Sequence, residues 1–199
     1  MSRYLVIGAT GLLGSAVVKA LGEQNCIRAS RSSPETVDIS DPASLKALFD
    51  RVGDLDGIVC ASGAARFKPY DQQTDEDWAF SLANKLMGQI NVVRFGAKAV
   101  KRGGAITLTS GVLAQAPMPG GAIVTPVNAA VEAFVLATSV EPALSQVRVN
   151  CVSPGWVAET LKAMGRDSAG GIPAAEVAEA FVRQQREGAS GSVALAARG

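Results

Sequence analysis

Three glycines at a spacing of three carry the first recognisable chemistry. The stretch "VIGATGLLGSAV" places Gly8, Gly11 and Gly14 between a short apolar run and a helical pattern. In such a turn the first glycine permits the reversal, the second lets backbone approach a pyrophosphate, and the third lets helix pack closely on strand. The helix that follows turns free N–H groups and the positive end of its dipole toward the phosphates. A ligand-free structural turn is the plain alternative; the strand before and the helix after favour a dinucleotide. A second set lies at 29–33, "ASRSS". An NAD site usually has an acid there for the ribose hydroxyls. This chain has Ser30, Arg31, Ser32 and Ser33 instead, a cation and hydroxyls suited to a 2′-phosphate. Arg31 alone reads equally as a solvated loop residue; the missing acid and the serines together predict NADP(H) in preference to NAD(H).

Other chemistries are excluded. The 199 residues contain no histidine, so the usual general acid or base near neutral pH is absent. Cys26, Cys60 and Cys151 lie in apolar, strand-like runs with no C-x-x-C, which reads as buried free thiols in a reducing cytoplasm and no metal site. Net charge is +1 with no long charge run, so neither nucleic acid nor an anionic membrane is an expected partner. No apolar run approaches the ~20 residues of a membrane span, and the one before the first glycines is too short for a signal peptide.

The elements that must position these residues alternate along the chain. Strand-like runs are "RYLVIG" (3–8), "CIRAS" (26–30), "TVDI" (36–39), "GIVCA" (57–61), "AITLTS" (105–110), "VRVNCV" (147–152) and "SVALA" (192–196). Helical patterns lie between them. One starts at Leu12; another opens at the Asp41-Pro42 cap and ends near Val52; a third is capped by Thr74 and runs past Asn91. Two more span 129–140 and 174–185. With hydrophobic residues at 48% and charged ones at 19%, this predicts one α/β domain over 1–199, a Rossmann-like doubly wound parallel sheet of about seven strands with helices on both faces. Ligands then bind at the carboxyl ends of the strands.

In order along nearly the whole chain, the motifs resemble those of the short-chain dehydrogenase/reductase family. "GATGLLG" resembles its glycine loop, which adds Thr10, Leu12 and Leu13 to the cofactor set. "VDISD" resembles the adenine-contacting segment, with Asp38 and Ile39, and "CASGAA" stands at the turn contributing Ala61, Ser62 and Gly63. "TLTSG" matches the active-site serine with Ser110. "RVNCVSPGWV" resembles the nicotinamide-side segment, with Pro154, Gly155 and Val157. The resemblance implies hydride transfer with a small-molecule substrate, a substrate-covering loop between Val157 and Pro173 with Trp156, Leu161 and Met164 as apolar lining, and a homodimer or homotetramer paired through the helices at 75–96 and 126–140.

The pattern departs at its centre. In "VTPVNAAV", Val124 stands where the family has its tyrosine and Asn128 where it has its lysine. The stretch 120–134 is read as holding nothing that readily moves a proton. Tyr4 opens the first strand, and Tyr70 is expected to pack a sheet edge. On the preceding helix, "ANKLMGQINVV" puts Lys85 three residues before Gly88, where the family has asparagine; Asn84 is its neighbour. The exchange implies that Lys85 reaches the nicotinamide ribose from the other helix and adds positive charge near an oxyanion. A surface lysine in an amphipathic helix is the alternative. Two functions follow: a reductase with a rearranged site built on Ser110 and Lys85, or a dinucleotide-binding sensor or scaffold that has lost catalysis.

Overall fold

The computed structural model describes residues 2–197. Its centre is a seven-stranded sheet: β1 (Tyr4–Ile7), β2 (Cys26–Ser30), β3 (Glu35–Thr36), β4 (Leu55–Cys60), β5 (Val100–Thr109), β6 (Arg148–Pro154) and β7 (Val193–Ala196). The order is β3-β2-β1-β4-β5-β6-β7, and every pair is parallel. The chain therefore winds outward from β1 to one side, then restarts at β4 on the other. The reversal between β1 and β4 is the place where such sheets leave a crevice.

Both faces are buried because alternate strand residues point opposite ways. Leu5 and Ile7 of β1 face a core shared with α2 (Pro42–Val52), α4 (Gly88–Gly96) and α5 (Val124–Thr138) through Leu45, Leu48, Val92, Val131 and Val135. Val6 faces the opposite core, closed by α1 (Leu12–Leu21) and α7 (Ala174–Glu187) through Val17, Val18, Val177 and Phe181. Asp41 caps α2 by accepting from the Ala43 N–H at 2.8 Å, with Pro42 in the first turn. Thr74 and Asp77 form a reciprocal capping box on α3 (Asp75–Ser81).

Four local expectations need correction. The strand expected at 36–39 is only Glu35–Thr36, because the Asp38 N–H turns to the Ser44 hydroxyl at 3.0 Å and leaves the sheet edge. The helix expected at 129–140 starts at Val124. The Thr125 N–H bonds the Gly121 carbonyl at 2.8 Å, and Pro126 sits in the first turn, where its missing donor costs nothing. The 157–173 segment, expected as a covering loop lined by Trp156, Leu161 and Met164, holds a short helix, α6 (Ala158–Ala163). Its Leu161 is buried, but Met164 is exposed. Tyr70 packs no sheet edge; it is 79% exposed.

Between α3 and α4 the helix continues without a break but widens into a π-helical turn, Leu82–Met87. The extra residue turns neighbouring side chains apart. Asn84 faces the crevice, while Lys85 is buried. Such turns recur at functional sites.

Candidate functional site

A cleft of about 640 Å³ opens at the carboxyl ends of β1, β2 and β4. Its wall gathers Gly8, Thr10, Gly11, Ser30, Arg31, Ser32, Asp38, Ile39, Ala61, Ser62 and Gly63 from the expected cofactor set. Gly8 has φ 86°, and a side chain there would meet the Ala61 carbonyl at 2.7 Å. At Gly14 a Cβ would lie 2.0 Å from the Gly8 carbonyl oxygen, so this glycine sets how closely α1 approaches β1. Gly11 caps α1 without a side chain, which leaves the first-turn N–H groups free for a ligand. Leu12, Leu13 and Gly14 lie behind the wall. Leu12 is largely exposed, Leu13 packs on the α1–α7 core, and Gly14 is buried.

At the end of β2, Ser30 Oγ accepts from the Ser32 N–H at 3.1 Å and so fixes the turn. Arg31 is exposed and, among the described residues, holds no carboxylate within 4 Å. Across the cleft, the Ser40 hydroxyl and N–H hold the Asp38 carboxyl below its usual range, with a smaller contribution from the Arg31 charge. Asn84, not in the expected set, lines the far wall and accepts from the Ala64 N–H at 3.2 Å.

The remaining residues form a second cluster beyond Gly63. Lys85 is only 8% exposed, so it is no surface lysine. Its stem lies against Gly63, where a Cβ would sit 3.1 Å from Lys85 Cδ. Its amine donates to the Ser110 carbonyl oxygen at 3.3 Å. Burial lowers its pKa, opposed by the nearby Cys151 and Cys60 thiols. Burial in turn pushes both thiols up to about 11, which leaves them inert as nucleophiles near neutrality. Cys26, expected to be buried, is half-buried.

Ser110 follows β5 and is anchored by its N–H to the Val152 carbonyl at 3.0 Å. Its hydroxyl donates to Glu132 Oε1 at 2.6 Å, and Gln115 Nε2 donates to Glu132 Oε2 at 3.2 Å. The stretch 120–134, read as holding nothing that readily moves a proton, thus brings a carboxylate to the serine hydroxyl. Glu132 lies four residues after Asn128 and eight after Val124, one face of α5, and that spacing was the available signal. Asn128 is buried beside Gly111, and among the described residues its Oδ1 has no partner. Ser153 Oγ is likewise buried and unpaired. Pro154 ends β6, the Gly155 N–H bonds the Ala196 carbonyl at 2.8 Å, and Val157 is buried in a bridge to Ile172. Among the described residues, no group of three acidic, cysteine or histidine side chains is placed to hold a metal, and no helix is long and apolar enough to cross a membrane.

The residues fit a nicotinamide dinucleotide. Gly8 and Gly14 admit no side chain, the helix terminus is uncapped, and among the described residues the buried Asn128 Oδ1 lacks a partner. Comparison with known proteins agrees. The family model described as Enoyl-(Acyl carrier protein) reductase matches residues 15–197. The solved structure of lin1944 from Listeria innocua is 36% identical, with a TM-score of 0.91 over 98% of this chain and 99% of that one. A small-chain dehydrogenase in complex with NADPH is 26% identical, with a TM-score of 0.85 over 98% and 96%. The 2,3-dihydro-2,3-dihydroxybenzoate dehydrogenase of Escherichia coli K12 is 28% identical over 165 residues, 72% of this chain and 66% of its own length. The chain spans about half to two thirds of the length of the curated relatives it matches. The strand order, the cleft at the β1/β4 reversal and the match over 15–197 agree, and the chain belongs to the short-chain dehydrogenase/reductase family.

Proposed function

We propose that the protein is an NADP(H)-dependent oxidoreductase that transfers hydride to or from a small carbonyl or activated alkene. The observation that carries this is the buried Lys85 amine at Ser110, beside Gly63 on the edge of the dinucleotide cleft. When bound, the nicotinamide supplies or takes the hydride. The chain's part is to hold and orient. The α1 terminus and the 8–14 turn take the pyrophosphate. Asp38, Ile39 and the 61–63 turn flank the adenine side. Asn128, Pro154, Gly155 and Val157 border the nicotinamide. Arg31, exposed and free of a carboxylate, supports the 2′-phosphate and hence NADP(H) over NAD(H); the NADPH held by the similar small-chain dehydrogenase is consistent with this. Lys85 places a cation beside the reacting oxygen, and its lowered pKa eases proton release. We place the protein in the cytoplasm as a homodimer or homotetramer, with exposed Leu82, Met87, Leu136 and Val140 as the pairing surface.

A second reading, a dinucleotide-binding sensor, rests on Val124, a hydrocarbon where the family has its tyrosine. One experiment separates the two. Fluorescence titration with NADPH and NADH is followed by a panel of ketones, 1,2-diketones and enones. Tight NADPH binding with turnover supports the oxidoreductase, and tight binding without turnover supports the sensor. Equal affinity for both cofactors overturns the NADP(H) assignment.

A further inference from the structure

We infer that Glu132 works with Ser110 as the proton relay of this site, in place of the absent tyrosine, and this rests on the oxidoreductase reading. The geometry is specific. The Ser110 hydroxyl hydrogen points at Glu132 Oε1 across 2.6 Å, a charge-assisted length. While Glu132 accepts this hydrogen, Ser110 Oγ offers lone pairs to a bound hydroxyl; when the carboxyl is protonated it donates to Oγ instead, and the serine hydrogen is freed for a bound carbonyl oxygen. Gln115 holds the other carboxylate oxygen at 3.2 Å, which fixes the orientation of Glu132. Lys85 grips the Ser110 carbonyl oxygen from the opposite side. Glu132 is half-buried, so it stays in contact with solvent, whereas Ser110 is 6% exposed. Ser110 and Glu132 thus link a buried hydroxyl to a carboxylate that solvent reaches.

The proton balance follows. In the reductive direction the carbonyl is reduced and the nicotinamide oxidised. The Ser110 O–H bond breaks as its proton joins the substrate oxygen, and a proton on the Glu132 carboxyl moves to Ser110 Oγ. Glu132 is left ionised and regains a proton from solvent. In the oxidative direction each proton moves the other way, and the ionised carboxylate withdraws the serine proton as Ser110 accepts one from the substrate hydroxyl. Glu132 acts through Ser110 and is a positioning residue. Glu132 is the ionisable side chain that the Ser110 hydroxyl touches, and it is open to water, so it is the group through which that hydroxyl exchanges its proton.

The test uses the full-length protein, NADPH and 9,10-phenanthrenequinone, with ketones and enones as further probes. Glu132→Gln keeps a side chain of the same shape but cannot store a proton. Its NADPH affinity and its KM should stay within about threefold of wild type, while kcat falls by about 10²-fold or more. The pH dependence of kcat should flatten, and Glu132→Asp should recover part of the loss. Without cofactor, the glutamate carboxyl ¹³C resonance that vanishes in Glu132→Gln should shift in Ser110→Ala, which reads the contact itself. Wild-type kcat and pH profile in Glu132→Gln, or an unmoved resonance, overturns the relay and leaves the oxidoreductase reading standing. Tight NADPH binding with no turnover by the wild type on any probe overturns that reading, and the relay with it.

Discussion

The adenosine side of the site and the β5–α5 side are built by different means. The first is made of backbone. Gly8 and Gly14 admit nothing larger, Gly11 leaves little room, and the ligand is to be met by N–H groups at the α1 terminus. The second is made of side chains from three separate elements: Lys85 on the π-helical turn, Ser110 after β5, and Asn128 with Glu132 on α5. A backbone site tolerates little change, because its geometry is the fold. A side-chain site can be rebuilt from the neighbouring helix if the charge still arrives at the same point. On the reading proposed above, the first keeps the family form and the second is rearranged.

The sharpest way to break this contrast is Gly14→Ala. Its Cβ would lie 2.0 Å from the Gly8 carbonyl oxygen and 3.0 Å from Ala9 Cα, so α1 must move off β1. We expect a loss of about 1–3 kcal/mol of stability, as for overpacking generally, and no saturable NADPH binding by fluorescence. A wild-type dissociation constant would show that phosphate binding does not depend on the seat of α1.

Next in size is Lys85→Met, which keeps the apolar stem and removes the charge. Reductase activity should fall by roughly 10²-fold or more, the range for a lost proton-transfer or charge-stabilising group. Stability gives an independent reading. Burial lowers the folded-state pKa of Lys85 below that of the unfolded chain. The unfolded state therefore binds more protons, and stability rises with pH as the buried amine is neutralised. The raised pKa of Cys60 and Cys151 acts the other way above their ordinary values, so the window lies below about pH 9. Urea unfolding of wild type and Lys85→Met from pH 6 to 9 should show the stability advantage of the variant shrinking as pH rises. A pH-independent difference would mean that the amine is solvated.

How much of this was legible in the sequence follows the same division. The parallel sheet of seven strands, the helices on both its faces, the Asp41 and Thr74 caps and the glycine turn come from local patterns: periodicity, cap residues and glycine spacing. Of the cleft wall, Gly8, Gly11 and the Ser30, Arg31, Ser32 turn followed from them; Thr10, Asp38, Ile39, Ala61, Ser62 and Gly63 came from the family resemblance; Asn84 came from neither, because its orientation depends on a π-helical turn that no residue spacing announces. The Lys85 and Asn128 exchange was visible only against the family pattern; its burial was not, because Leu86 and Ile90 read equally well as one face of an amphipathic helix. Glu132 was missed for a different reason. A lone glutamate on a half-buried helix reads as a solvated side chain until the partner 22 residues away in sequence is seen to donate to it.

Of intermediate size is Arg31→Ala. A charge-assisted contact to a 2′-phosphate contributes about 1–3 kcal/mol, so NADPH affinity should fall by that amount while NADH affinity stays nearly constant. Equal weakening of both cofactors would place Arg31 on the pyrophosphate or in a purely structural role, and the backbone side would no longer carry the cofactor preference.

The smallest effect is the most diagnostic of the rearranged side. Asn128 Oδ1 is buried without a partner among the described residues, while its Nδ2 lies toward Gly111. A buried acceptor left unmade costs about 1–3 kcal/mol, and replacing it with an apolar group of similar volume removes that cost. Asn128→Leu should therefore make the cofactor-free protein more stable, by about 1 kcal/mol. The reverse should hold with cofactor present. If Asn128 keeps its oxygen for the nicotinamide side, NADPH should raise the melting temperature of wild type more than that of the variant, since ligand stabilisation grows with affinity. Thermal melts of both proteins with and without saturating NADPH give all four values from one preparation. An equal ligand-induced shift in the two would mean that Asn128 faces packing alone, and the Lys85–Asn128 exchange would lose one of its two members.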